Sequence, residues 1–308
     1  MSPRPSISSE PVTSRCPPGH GSPSASAARN PPSGTPSSGG IPSQQGQLPP
    51  LGTAGAHPRQ SDRTSSKGYA MPTLGIIGSG NIGSAVARLA VAAGMNVVIS
   101  NSRGPVTLTE LVAELGPLAQ TGTVEDAAKL GDAVVLSIPL NAVSALPDGL
   151  LAGKIVLDTS NYYPSRDGRI AELDDSTVTT SELVQSRLPG AQYVKAFNNI
   201  LAHHIPLLAR PAGSADRSAL PIASDDGSAK AEAAALIDAL GFDVVDAGTL
   251  AESWKFEPDS AGYTRLYLAD AGIPDDQLMS SVPGTTPKEK VDAALASATR
   301  VNVAERLF

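Results

Sequence analysis

Three glycines in six residues, Gly78-Ser79-Gly80-Asn81-Ile82-Gly83, narrow the folds open to this chain more than anything else in it. Leu74-Gly75-Ile76-Ile77 before them reads as a short buried strand. After them Ile82, Val86, Leu89, Ala90 and Ala93 recur at helix spacing. A GxGxxG run alone is common. Set between a strand and the first turn of a helix, it points to a dinucleotide-binding turn. In such a turn Gly78 allows the tight bend, Gly80 lets a pyrophosphate approach the backbone, and Gly83 lets helix pack on strand. The helix start offers unpaired N–H groups and a partial positive charge to phosphates, which makes Gly78, Ser79, Gly80, Asn81, Ile82 and Gly83 the first cofactor-binding candidates. The plainer alternative is a glycine-rich corner with no ligand.

The segments that follow repeat this alternation. Strands are expected at Asn96–Ser100, Ala133–Ile138, Lys154–Asp158, Tyr193–Phe197, Leu220–Ser224 and Phe242–Asp246. Helices are expected at Asn81–Ala93, Thr107–Leu115, Ile200–Leu208 and Lys230–Leu240. Apolar strands separated by helices predict an α/β fold, a doubly wound parallel sheet of the Rossmann type covered on both faces, over residues 73–247. The expected organisation is a tail at 1–70, a dinucleotide-binding domain at 71–250 and a short C-terminal extension at 251–308.

Residues 1–70 hold 13 of the 27 prolines, 15 serines and nine glycines, with few apolar residues. Such a stretch cannot offset its ordering entropy by burial, so a disordered tail is expected. Its six basic and two acidic groups also fit a transit peptide. Met71, directly before the first strand, is a third reading, as an initiation site. Over the whole chain the net charge is −7 and the single cysteine is Cys16. The acidic balance argues against nucleic acid as a partner. One cysteine makes no internal disulfide and no Cys-based zinc site, and no His/Asp/Glu cluster has metal-ligand spacing, so no metal is expected. No run reaches the roughly 18–20 apolar residues of a membrane helix, and a cytoplasmic protein with a small-molecule or coenzyme substrate is expected.

The second strand bears on the choice of cofactor. An NAD site places Asp or Glu about 20 residues beyond the glycines. Here Ser100-Asn101-Ser102-Arg103-Gly104 follows, with no acid until Glu110. Ser102 and Arg103 suit the 2′-phosphate of NADP, unless Arg103 is a solvated loop arginine and Ser102 only a helix cap. Ser137-Ile138-Pro139 ends a central strand where the nicotinamide ribose would lie. Asn161, Asn198 and Asn199, near the ends of later strands, are candidates for the substrate side or simple turn formers. Trp254 either closes a planar-ligand pocket or plugs the gap between domain and tail. His203, His204 and Tyr162 are the candidate proton donors, with a structural role as the alternative for the histidines.

Taken together, Leu74 to Gly83, Asn101-Ser102-Arg103-Gly104-Pro105, Ser181-Glu182-Leu183-Val184, Pro189-Gly190-Ala191, Val194-Lys195-Ala196-Phe197-Asn198 and Ser253-Trp254-Lys255-Phe256-Glu257-Pro258 resemble the coenzyme F420-dependent NADP oxidoreductases. That family shares the N-terminal Rossmann domain of pyrroline-5-carboxylate reductase. The resemblance covers residues 73–258. It implies hydride transfer between NADPH and the deazaflavin coenzyme F420, NADP held at Gly78 to Gly83, Ser102, Arg103 and Ile138-Pro139, Ala196 near the nicotinamide, and a homodimer. Two other functions stay open: an NADPH-dependent reductase of an imine or ketone, and an NADP(H)-binding sensor without turnover.

Overall fold

The computed structural model describes residues 72–307. The expectations for the tail at 1–70 and for Met71 lie outside the described residues. Six strands form one parallel sheet: β1 (Thr73–Ile77), β2 (Asn96–Ser100), β3 (Ala119–Thr121), β4 (Ala133–Leu136), β5 (Ile155–Asp158) and β6 (Gln192–Lys195). Their order is β3-β2-β1-β4-β5-β6, so the chain works outward from β1 in one direction and then from β4 in the other. β1 is therefore central, with Ile77 beside Ser100 on one flank and beside Leu136 on the other. This is the doubly wound Rossmann arrangement, and its ligand crevice opens where the order reverses, beyond the carboxyl ends of β1 and β4.

The helices that cover the sheet are α1 (Asn81–Ala92), α2 (Thr109–Leu115), α3 (Val124–Leu130), α4 (Pro164–Asp167), α5 (Ala171–Asp174), α6 (Thr180–Ser186), α7 (Ile205–Leu208) and α8 (Gly227–Ala239). A capping box opens α3, where Thr123 accepts from the Asp126 N–H and Asp126 accepts from the Thr123 N–H. The same device opens α6 with Thr179 and Glu182. The core is built from strand residues with no polar alternation. Ile76, Val97, Ile99, Val134, Val135, Val156 and Leu157 are fully buried, as expected of strands covered on both faces.

Three local expectations change. The seventh and eighth strands, β7 (Ala219–Ile222) and β8 (Asp243–Asp246), do not extend the main sheet but pair with each other in a separate parallel sheet. Ser218 and Ile222 accept hydrogen bonds from the β8 side, whereas Ala219 and Ala223 bond to Thr286 and Lys195 on the opposite edge. By alternation Pro221 belongs to that opposite edge and has no N–H to offer, so only an isolated antiparallel bridge, Lys195 with Ala223, joins the two sheets. The helix expected over Ile200–Leu208 is reduced to Ile205–Leu208. Pro206 sits in its first turn, where its fixed φ is tolerated, and residues 202–204 form a turn ahead of it. The edge strand β3, with polar Gln120 and Thr121, was not anticipated.

Beyond β8 the chain runs through short 3₁₀ turns at Leu250–Phe256, Thr264–Tyr267 and Asp275–Ser280, then the helix α9 (Lys288–Ser297). This segment is not a loose appendage. Phe256, Tyr267 and Val291 are fully buried. The Arg306 guanidinium, 5% exposed, donates to Asp259 Oδ2 at 2.9 Å and to the carbonyls of Tyr162 and Pro258 at 2.8 Å each. Among the described residues no helix is long and apolar enough to cross a membrane.

Candidate functional site

The glycine turn joins β1 to α1, and its three glycines meet three different surroundings. Gly78 has φ of 109°, and a Cβ there would lie 2.0 Å from the Ser137 carbonyl oxygen. At Gly83 a Cβ would lie 2.0 Å from the Gly78 carbonyl oxygen. At Gly80 nothing stands within 4 Å. The first glycine is thus required by the bend against β4 and the third by the packing of helix on turn, while the second faces open space. Gly80 is the N-cap of α1. No side chain caps that helix and no acidic residue lies in its first turn, so its N–H groups are left for an anion. These are the surroundings the pyrophosphate of a dinucleotide requires.

Asn101, just past β2, ties the second loop to this turn. Its Nδ2 donates to Ser79 Oγ at 3.1 Å and to Thr107 Oγ1 at 3.0 Å, and its Oδ1 accepts the Arg103 N–H at 3.0 Å. Ser102 and Arg103 are exposed on that loop. Neither side chain has a hydrogen-bond or ion-pair partner among the described residues, and the 3₁₀ turn that follows carries no side-chain cap, so Ser102 does not serve as one. A guanidinium held near the glycine turn and left unpaired fits a 2′-phosphate. A ribose-binding carboxylate is missing from the end of β2.

From the glycine turn a cleft of about 320 Å³ runs along the carboxyl edge of the sheet. Gly80, Asn81 and Ile82 line it after β1, Ser137, Ile138 and Pro139 after β4, Thr159, Ser160 and Asn161 after β5, and Asn198 and Ile200 after β6. Buried polar pairing holds this edge in shape. Asn161 Nδ2 donates to the Asn198 carbonyl at 2.7 Å, and Asn198 Nδ2 donates back to Asn161 Oδ1 at 3.1 Å and to the Phe256 carbonyl at 2.9 Å. Beneath it, fully buried Lys195 pairs with fully buried Asp158 at 3.2 Å and also donates to the Ser160 carbonyl. Asp158 further accepts from Ser160 Oγ at 2.7 Å and from the Tyr193 hydroxyl at 2.5 Å. Burial, and then the neighbouring carboxylate, raise the Tyr193 pKa well above its ordinary value, so this hydroxyl stays a donor.

Other residues singled out in the sequence lie elsewhere. Ala196 is fully buried and does not line the cleft. Asn199 is fully buried too; its Nδ2 donates to the Gly262 carbonyl at 2.8 Å and to the Tyr267 hydroxyl at 3.2 Å, tying down the C-terminal segment. Trp254 lines a small gap with Tyr162, Pro258, Arg300 and Val301, and the Arg300 guanidinium lies 6.0 Å from its ring centre. Tyr162 is in the core, donating to Asp174 Oδ1 at 3.0 Å and accepting from the Ile170 N–H at 3.0 Å; burial raises its pKa. The rings of His203 and His204 are 4.2 Å apart, and both Nε2 atoms face the Ser281 carbonyl, at 3.3 and 2.9 Å. Burial lowers the His204 pKa. None of these three proton-donor candidates lines the cleft.

A tyrosine that does line it is one residue from Tyr162. Tyr163 sits at the cleft's outer end, 2.6 Å from the hydroxyl of Tyr263, which the C-terminal segment brings in from 100 positions away. Burial, then the neighbouring Tyr163, push the Tyr263 pKa far up, so it remains protonated. Arg166 and Met279 complete this end. Tyr163-Pro164 carries one local signal, since a residue before proline is held extended and out of the following helix. Tyr263 carries none. Among the described residues no three His, Cys, Asp or Glu side chains gather as a metal site.

Residues 73–162, which hold the glycine turn, the Arg103 loop and the cleft edge through Asn161, match the family described as NADP oxidoreductase, coenzyme F420-dependent. The match ends just past β5, and Tyr263 and the C-terminal segment lie beyond it. A hypothetical protein of Sinorhizobium meliloti of known structure is 32% identical, with a TM-score of 0.53 over 62% of this chain and 91% of its own. A candidate F420-dependent NADP reductase of Arthrobacter sp. FB24 is 25% identical, with a TM-score of 0.49 over 60% of this chain and 87% of its own. Metalloreductase STEAP3 of Rattus norvegicus is 32% identical over 192 residues, 60% of this chain; the chain spans 36% of the length of that curated relative.

Proposed function

We propose that the protein transfers a hydride between NADPH and coenzyme F420. The observation that carries this reading is the pairing of an open, uncapped glycine turn with an unpartnered Arg103 on a loop that Asn101 ties to that turn. When bound, NADP(H) supplies the hydride chemistry through its nicotinamide ring. The N–H groups at the start of α1 would bind the pyrophosphate and Arg103 the 2′-phosphate. Ser137, Ile138 and Pro139 would form the floor on which the ring end rests, and Asn161 and Asn198 would hold the acceptor side of the cleft. Such a transfer depends on orientation more than on a side-chain acid, which suits a cleft with no histidine in its lining. The family match supports F420 as the partner.

A second reading, reduction of a ketone or imine, draws on the Tyr163–Tyr263 pair, a protonated donor at the cleft's end. The two separate in one assay. NADPH oxidation by the purified protein is followed with oxidised F420, with cyclohexanone and with a cyclic imine. Turnover with F420 alone is the expected result. Turnover with the ketone or imine and none with F420 overturns the F420 reading, and tight NADPH binding without turnover on any acceptor favours a sensor.

A further inference from the structure

The smaller sheet ends on an open edge. The Asp243 N–H donates to the Ser218 carbonyl and the Ala247 N–H to the Ile222 carbonyl, so Asp243, Val245 and Ala247 turn their backbone groups toward β7. By alternation Val244 and Asp246 turn theirs outward, and among the described residues no strand lies beyond β8. The residues on either side of this stretch are already engaged. The Phe242 N–H donates to the Ile237 carbonyl, and the Phe242 carbonyl accepts from Arg217 Nη2 at 3.0 Å. The Gly248 N–H donates to Asp246 Oδ1 at 2.9 Å, and the Gly248 carbonyl accepts from Lys230 Nζ at 2.8 Å. An open edge is a template for another strand, and proteins commonly block such edges with free charges. Here the charges are spent within the chain: the Asp246 carboxylate is held by Lys230 at 2.7 Å, and that of Asp243 lies 3.5 Å from the Arg217 guanidinium.

A groove of about 530 Å³ runs along this edge, walled by Gly227, Lys230, Ala231, Ala234 and Asp238 of α8 and by Lys288 at the start of α9. At their spacing the five α8 residues share one helix face. Lys230 reaches Asp246, whereas Asp238 shares the Arg217 guanidinium with Asp243, at 2.8 Å. The helix therefore runs antiparallel to β8, with Ala234 midway along the groove, level with Val245. The groove carries a lysine toward one end, an aspartate toward the other and a small residue between them. A half-turn about an axis through Val245 makes that pattern its own complement. The strand edge has the same centre. Pairing Val244 with the partner's Asp246, and Asp246 with the partner's Val244, places every outward backbone group of the stretch in an antiparallel ladder of four hydrogen bonds. A shift of register in either direction runs into Phe242 or Gly248, whose groups are taken.

We propose that the β8 edge and the groove face of α8 dock a second copy of this chain across a two-fold axis, joining the two small sheets into one of four strands, with Lys230 facing the partner's Asp238. None of the groove residues lines the cleft, so this assembly and the reading of the cleft stand or fall separately. The test is analytical ultracentrifugation of the full chain over a concentration series, together with hydrogen–deuterium exchange of the segment 243–247 read by mass spectrometry. Wild type should sediment as a dimer in which this segment is protected, and exchange there should quicken on dilution as monomer appears. Val244→Pro deletes an outward N–H from each copy, two of the four bonds, at an edge position where proline is tolerated. It should weaken the dimer about five- to 150-fold with the far-UV circular dichroism unchanged. Ala234→Lys sets two ammonium groups beside the axis from an open helix face. It should likewise shift the protein to monomer, and it reads the same surface if Val244→Pro disturbs the fold. Wild type that stays monomeric throughout the series overturns the proposal. A dimer that both variants leave intact places the contact elsewhere and overturns it too, as does a monomer in which segment 243–247 stays protected at every concentration, since another part of the same chain then covers the edge.

Discussion

Gly80→Ala separates a glycine kept for a ligand from one kept for the fold. The Gly80 backbone has φ of −69° and ψ of −172°, which any residue adopts, and an added methyl would meet nothing within 4 Å. Two small terms act on stability. Alanine is a poorer N-cap than glycine, at a cost of up to about 1 kcal/mol, and replacing glycine stiffens the unfolded chain, a gain of about 0.4–1 kcal/mol. They nearly cancel, and for a domain of this size about 1 kcal/mol moves Tm by roughly 2–4 °C, so the melting temperature should stay within that span. Binding should not survive so well. The methyl would occupy the surface over which the phosphates must approach the α1 N–H groups, and losing a charge-assisted hydrogen bond of about 1.5–3 kcal/mol weakens NADPH about ten- to a hundredfold. Gly83→Ala gives the contrast. Its methyl would stand 2.0 Å from the Gly78 carbonyl oxygen, an overpacking cost of about 1–3 kcal/mol or more, and Tm should fall by about 2–12 °C. Thermal melts and a fluorescence titration with NADPH read both variants. If Gly80→Ala melts as low as Gly83→Ala, or binds NADPH as wild type does, the assignment of roles within the turn is wrong.

Arg103→Ala should weaken NADPH about ten- to a hundredfold and leave NADH unchanged; equal losses for both would show that Arg103 does not meet the 2′-phosphate. Lys195→Met strands Asp158 without its counter-charge in the core beneath the cleft and should cost about 3–5 kcal/mol in denaturant unfolding; a cost under about 1 kcal/mol would show that the Ser160 and Tyr193 hydrogen bonds suffice for the carboxylate. His204 has a depressed pKa in the folded state, so the unfolded chain binds the proton more readily and stability should fall as pH drops below the ordinary histidine value of 6.5. His204→Gln should flatten part of that acid loss in Tm, and an unaltered slope would place the sensitivity elsewhere.

The parts of the fold legible in the sequence are those in which local pattern and tertiary role coincide. β1, the glycine turn and α1 are set by neighbouring residues, and β4 to β6 by apolar runs that only a sheet covered on both faces can bury. β3 left no such trace, because an edge strand carrying Gln120 and Thr121 buries little. The separation of β7 and β8 turns on a single proline whose missing donor matters only once its edge is known. In the cleft, the residues that follow directly from strand ends, Ile138, Pro139, Asn161 and Asn198, could be named in advance. Tyr162 and Tyr163 could not be told apart by type, since which of two adjacent side chains enters the core is decided by Asp174 and Ile170 packing around one of them. Tyr263, the Arg306 clasp and the histidine contacts with Ser281 depend on the path of the C-terminal segment, which no local periodicity announces.

Transfer of label is the decisive measurement for hydride exchange with F420. The protein is mixed with NADPH deuterated at the transferable position of its nicotinamide and with oxidised F420, and the products are examined by mass spectrometry. Deuterium carried into the ring of reduced F420, in step with NADP⁺ formed, is the predicted result. F420 left oxidised while NADPH is consumed on a ketone or imine, or F420 reduced without the label, would contradict it.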